Sequence, residues 1–217
     1  RAYEVGVKSN GIRNLSLSLA GFYYDYKDLQ QPTIVSTNNI PRQELRNAAS
    51  SEIYGAELSG SWNPSEAFSL TAGLTYLHAR YQSYPLAVIN IPTGLGGNRQ
   101  LTADVSGNTM IRSPTWSGNL TARYVIESGI GQFDAAGTLF YSSKFYIESG
   151  NRIAQPAYAQ INASIGLKPA GTAAEIRLWG KNLTNRAVIY GSNVLPAGDS
   201  INHGPPRTYG VEVSYRF

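Results

Sequence analysis

The chain of 217 residues has no cysteine, two histidines and one methionine. Without thiols there is no disulfide framework, no thiolate metal site and no cysteine nucleophile. No apolar run approaches the roughly 18 residues of a membrane-spanning helix, which excludes a helical membrane protein. Charge is also scarce, at 15% of residues, against about 25% in ordinary soluble domains. The net charge of +4 is spread along the chain and forms no basic stripe of the kind nucleic acid requires. A mean hydropathy of −0.24 excludes little, because a β-barrel alternates apolar with polar residues and hides from averages. The alternation is already under way at Tyr3, Val5 and Val7, set against Glu4, Gly6 and Lys8. The expectation is therefore a piece cut from a longer precursor.

What the sequence has is tyrosine (15 residues), glycine (22 residues) and a period of two. In the terminal RTYGVEVSYRF, Tyr209, Val211, Val213, Tyr215 and Phe217 share one parity, and Thr208, Gly210, Glu212, Ser214 and Arg216 share the other. Successive strand side chains point to opposite faces, so one face is apolar and the other polar or small. Valines between aromatics are the layout of a lipid-facing strand anchored at both interfaces. The same reading predicts about nine strands. The first two cover about 2–8 and 14–27, although Phe22, Tyr24 and Tyr26 blur the upper end of the second. The third and fourth set Tyr54, Ala56, Leu58 and Trp62, then Phe68, Leu70, Ala72, Leu74 and Tyr76, against small polar residues. Trp116, Leu120, Ala122 and Tyr124 mark the fifth, and Phe133, Ala135, Leu139 and Tyr141 the sixth. Ala159 to Leu167 and the Ile176, Leu178 pair mark the next two, before the terminal strand.

The connections alternate in length. Turn residues at Ser9-Asn10-Gly11, Asn63-Pro64-Ser65, Glu127-Ser128-Gly129 and Pro169-Ala170-Gly171 predict short turns. Long loops are expected over 28–51, 82–114, 147–156 and 185–206. In a meander every second connection lies at the same end, so all short turns share one end and all long loops the other. Outer-membrane barrels sort their connections this way, with short periplasmic turns and long extracellular loops. The expected fold is all-β: an antiparallel up-and-down meander forming part of a transmembrane barrel. An odd strand count fits a fragment, since bacterial single-chain barrels are even.

Three stretches carry a family resemblance: LSLSLAGFYYDYKDL (15–29), GKNLTN (180–185) and PPRTYGVE (205–212), the last leading to Tyr215-Arg216-Phe217. With the opening Tyr3-Glu4-Val5-Gly6-Val7-Lys8 they follow the order found in TonB-dependent outer-membrane receptors, which the chain resembles from end to end. The resemblance implies the C-terminal part of a 22-stranded barrel, with the whole of 1–217 in that one domain. It places the plug domain, the remaining strands and the TonB-binding segment upstream of Arg1. It implies active import of a bulky scarce nutrient such as a ferric siderophore, energised by the TonB complex, in the bacterial outer membrane. The terminal strand resembles the signal read by the barrel-assembly machinery, with Gly210, Val213, Tyr215 and Phe217 at matching positions. A smaller porin-like channel or an outer-membrane barrel enzyme is the alternative.

For substrate contact, the candidates on the long loops are Tyr84, Arg99, Arg112, Arg152, Tyr190 and His203. Arginine and tyrosine can hold an anionic iron complex by charge-assisted bonds and stacking. The competing readings for the loop residues, Asp104 and Asp199 included, are loop–loop packing and contact with lipopolysaccharide. His78 and His203 lack a marked nucleophile or carboxylate beside them, so no catalytic residue, metal ligand or cofactor is assigned. Gly94, Gly96 and Gly97 precede no helix pattern and are expected in a loop. Two sequons, at Asn119 and Asn182, fall in or at strands and are discounted. Trp179 shares parity with Glu175, Arg177 and Lys181 and is expected to face the lumen, where the charges would meet a plug.

Overall fold

The computed structural model describes residues 1–37 and 40–216. Among the described residues fifteen strands form: β1 (Ala2–Ile12), β2 (Leu15–Thr37), β3 (Ile40–Trp62), β4 (Phe68–Ser83), β5 (Ala87–Pro92), β6 (Asn98–Ala103), β7 (Trp116–Ser128), β8 (Gly131–Ser142), β9 (Phe145–Tyr146), β10 (Ala154–Gln155), β11 (Tyr158–Pro169), β12 (Ala174–Lys181), β13 (Ile189–Leu195), β14 (Gly198–His203) and β15 (Thr208–Tyr215). Nine of them make one sheet in the order β1-β2-β3-β4-β7-β8-β11-β12-β15, every neighbouring pair antiparallel. This is the expected meander. The other six form three two-stranded ladders within the long connections.

Register aligns the two parities across the wall. One row runs Leu19, Leu58, Leu74, and a second runs Ala72, Leu120, Leu139, Ile161. The leucines and Ile161 remain exposed, as a face meant for lipid must be. Aromatics close both ends of that face. At the end with the long connections, Tyr54 stacks on His78 at 4.5 Å between ring centroids, and Tyr76 meets Trp116 at 4.9 Å. At the other end Trp62, Phe68 and Tyr124 follow one another at 6.1 and 6.3 Å. Amphipathic rings sit well between hydrocarbon and water. The opposite parity carries Ser59, Gly73, Asn119 and Gln160 and is the lumen side. Phe22, Tyr24 and Tyr26 lie on that side, Phe22 stacking on Tyr24 at 5.4 Å. They blurred the pattern because they are lumen aromatics added to a regular lipid face of Leu15, Leu17, Leu19 and Tyr23.

Two expectations need correction. The first turn lies at Arg13-Asn14, not Ser9-Asn10-Gly11. Asn14 adopts φ 62° there, a left-handed conformation asparagine tolerates, and a register shift between Ser9 and Ile12 absorbs the extra length. The stretch 28–51 is not an irregular loop. After a bulge at Asp28 (φ 57°), β2 and β3 stay paired up to Thr37 opposite Ile40. Beyond a lipid layer a strand needs no apolar alternation, so periodicity could not reveal it. Phe217 lies outside the described residues.

Candidate functional site

The long connections gather at one end of the wall as a cap, fastened mostly by side-chain amides and carboxylates. The β5–β6 hairpin packs Tyr84, Ala87 and Val105 against Tyr81 and Ala49, making a small buried core with Leu29 at its margin. Its tip is the glycine stretch of the sequence: Thr93 N–H donates to the Gly97 carbonyl at 3.0 Å, with Gly96 and Gly97 at φ 95° and 70°. That stretch is a hairpin turn. Beside it the β13–β14 hairpin runs from Ile189 to His203. Its root joins the short β9–β10 ladder in a second core of Phe145, Ile147 and Ile189.

Asparagine and glutamine tie the ends of these segments. The Asn182 side chain, 5% exposed and at φ 50°, accepts from the Arg186 N–H at 2.9 Å. It donates to the carbonyls of Arg186 and Pro205 at 2.9 and 3.1 Å. Asn185, at φ 49°, accepts from the Arg207 N–H at 3.1 Å. The GKNLTN stretch thus closes both ends of the last long connection. Buried Gln155 accepts from the Ile189 N–H at 2.8 Å, and Glu148 accepts from the backbone N–H groups of Gly150, Arg152 and Ile153.

The six loop candidates divide. Tyr84 is 2% exposed, packed on Tyr81 at 5.2 Å with its hydroxyl 3.5 Å from Gln31, and burial pushes its phenol up to about 12. Arg112, at φ 53°, donates its guanidinium to the Tyr190 carbonyl at 3.0 Å. Arg152 grips Asp199 through two bonds of 2.7 and 3.0 Å. Those hydrogen bonds to Arg152 hold the Asp199 carboxyl below the usual carboxylate range. Arg99, Tyr190 and His203 are exposed on the hairpins, Tyr190 at 60%. Asp104 turns back on its own loop, accepting from Ser106 N–H at 2.9 Å and hydroxyl at 2.5 Å. Among the described residues no group of three His, Asp or Glu side chains forms a metal set.

On the lumen side, Arg177 bridges Asp134 at 2.7 and 2.9 Å and Glu175 at 2.5 Å. Next to this triad an open concavity of about 480 Å³ is lined by Asn162, Ser164, Trp179, Lys181 and Glu212. Trp179 faces the lumen as parity required, with the Lys181 ammonium 5.3 Å from its ring centroid. Its indole covers Gly210, where a Cβ would stand 2.2 Å from the ring. The glycine of the terminal strand therefore has a packing reason of its own.

The sequence pointed to Arg152 and Asp199 separately but not to each other, nor to Asn98, Glu148 or Gln155. The available signal was asparagine next to a strand end, as at Asn182 and Asn185, where the left-handed conformation favours that residue.

Comparison with known proteins agrees with this architecture. The ferric yersiniabactin uptake receptor FyuA from Yersinia pestis superposes with a TM-score of 0.76 at 19% identity, over 98% of this chain and 29% of that one. The siderophore receptor PiuA from Acinetobacter baumannii gives 0.74 at 18%, over 98% and 27%. The ferripyoverdine receptor from the Pseudomonas aeruginosa outer membrane gives 0.68 at 14%, over 99% and 26%. At these identities the likeness is one of fold, and this chain spans under a third of each. The family model for TonB dependent receptor-like β-barrels matches residues 1–183 of the 217. The chain therefore belongs to the TonB dependent receptor-like β-barrel family.

Proposed function

We propose that this chain is the C-terminal wall and cap of an outer-membrane importer for a bulky, scarce nutrient, a ferric siderophore or similar iron complex, energised by the TonB system. What carries the reading is the sorting of the molecule. Lipid-compatible side chains face out, charge and amide face in, and every long connection is gathered at one end. A receptor needs that asymmetry: a cell-surface end for capture, a polar lumen for passage and a plain periplasmic rim. The family and the cargoes named for its structural neighbours, ferric complexes among them, support the choice of ligand. Exposed Arg99, Tyr190 and His203 are the residues proposed to meet it. Tyr84, Arg112 and Arg152 act from behind by holding the cap together.

The partners follow from the same reading. The Asp134–Arg177–Glu175 triad and the concavity beside Trp179 would pack against a plug domain, which with the TonB-binding segment would precede this region. The outer face would lie in lipopolysaccharide and lipid. Edge strands β1 and β15 would pair with further strands of the same barrel, since open sheet edges are not tolerated in lipid. The terminal strand, with Gly210, Val213, Tyr215 and Phe217, would present the barrel-assembly machinery with an edge for β-augmentation. In the full-length receptor, deleting Phe217 should slow assembly much more than replacing Tyr76, an internal girdle ring. Equal defects would remove the special role.

The transport reading is tested by uptake of radiolabelled iron complexes, ferric citrate and ferric catecholates among them, in cells lacking the full-length gene. Uptake should require both the gene and TonB. TonB-independent leakage of small solutes would instead identify a porin-like channel.

A further inference from the structure

We infer that Asp199 is a latch: it joins three separate extracellular segments into one body, and so positions the exposed residues that meet the ligand without touching the ligand itself. The inference rests on the transport reading only for its effect on uptake. Its structural part stands alone.

Three segments distant in sequence converge on one carboxylate. Arg152, from the 147–156 connection, holds both oxygens at 2.7 and 3.0 Å. Asn98, from the β5–β6 hairpin, donates to Oδ1 at 2.8 Å, while Asp199 itself is the second residue of the return strand of the β13–β14 hairpin. Backbone contacts follow the same seam. Asn98 N–H donates to the Pro196 carbonyl at 2.8 Å, its side-chain amide also donates to the Leu195 carbonyl at 2.8 Å, and Asn90 donates to the Val194 carbonyl at 3.0 Å. Gly97, at φ 70°, passes so close that a Cβ would lie 2.8 Å from the Pro196 oxygen. The pair is only partly exposed, 31% for the Arg152 side chain and 24% for Asp199. A planar guanidinium held bidentately fixes orientation as well as distance.

The consequence lies in what the latched hairpins carry. Arg99 follows Asn98 on one, and Tyr190 and His203 stand at the root of the other. With the latch closed their spacing is set before ligand arrives. With it open each hairpin keeps its own ladder and the Asn98 and Asn90 bonds to the β13–β14 turn, but the 147–156 connection is released and the seam loosens, and a ligand must order it on binding.

The test uses the full-length receptor, with spin labels at Leu95→Cys and Ile201→Cys, both exposed positions on the two hairpins. Double electron–electron resonance in outer-membrane vesicles should give one narrow distance distribution. Asp199→Ala should broaden it most, since it removes the Arg152 and Asn98 bonds together. Arg152→Ala, which leaves Asn98 on Asp199, should broaden it less, and the swap Arg152→Asp with Asp199→Arg, which restores the ion pair but offers Asn98 no acceptor, should narrow it part of the way back from the Asp199→Ala width. Unfolding of the cap would not be rescued by the swap, so rescue separates a latch from general damage. In parallel, uptake of ferric citrate and of a ferric catecholate is followed. For whichever is carried, Asp199→Ala should raise KM about three- to tenfold with the maximal rate held. An unchanged narrow distribution in Asp199→Ala overturns the latch. So does a fall in maximal rate at constant KM. Uptake of neither complex by the unmutated receptor would count against the cargo reading, and the distance measurement would still decide the latch.

Discussion

Along β7 the outward face takes every second position, Trp116, Gly118, Leu120, Ala122 and Tyr124, and the partners on β4 and β8 repeat with them. In the cap, Asn98, Glu148, Gln155, Asn182 and Asp199 make many of the ties, often to backbone groups far away in sequence. The wall is specified by a local rule, the pleat, which any eight residues display. The cap is specified by single polar side chains at chain reversals, each meaningful only once its distant partner is in place. The two regions should therefore fail differently when mutated.

The largest difference is expected at the lipid face. Leu120 lies midway between the Trp116 and Tyr124 girdle positions. Leu120→Arg should cost about 2–4 kcal/mol, the range for an arginine near the bilayer midplane. Asn119→Arg, one residue away on the lumen parity, should cost far less. Urea unfolding of the full-length barrel in lipid vesicles measures both, and equal costs would break the assignment of faces.

Next comes the Trp179 contact with Gly210, a wall feature that depends on one particular pair. Gly210→Ala should destabilise by about 1–3 kcal/mol through overpacking against the indole. Most of that cost should vanish in a Trp179→Ala background. If it does not, the glycine is needed for another reason, the assembly signal among them.

In the cap, Asn182→Ala should cost about 2 kcal/mol, since it removes three hydrogen bonds to the backbone of Arg186 and Pro205 and puts alanine at a left-handed position. The damage should be local. Hydrogen exchange should quicken across 186–206 while the amides of β7 and β8 keep their protection.

The smallest effect is one of pH. Asp199 is held below the usual carboxylate range, first by its hydrogen bonds to Arg152. A carboxyl depressed in the folded state contributes stability above its unfolded value and loses it as pH falls through the folded one. Protection around Asn98 and Asp199 should thus stay level from neutral pH down past about 4, the ordinary carboxylate value. Loss should come only below that, and Arg152→Ala should move it upward.

The same contrast explains what could be read before the structure. All nine wall strands were legible, because Leu15 to Leu19 or Tyr209 to Tyr215 carry the pattern within themselves. Where the wall leaves the lipid, the pattern stops although the strands do not, which is why the paired extension of β2 and β3 read as a loop. Arginines and tyrosines on the loops were visible as types. Tyr84 faces a buried core and Arg152 faces Asp199, facts that depend on residues dozens of positions away.

The central claim is that the cap and the short turns lie on opposite sides of a membrane. Single cysteines at Leu95 in the β5–β6 tip and at Ile130 in the β7–β8 turn, both exposed, test it in the full-length protein. A membrane-impermeant maleimide applied to intact cells should label Leu95→Cys and leave Ile130→Cys untouched until the outer membrane is permeabilised. Labelling of both in intact cells, or of Ile130→Cys alone, would contradict the account.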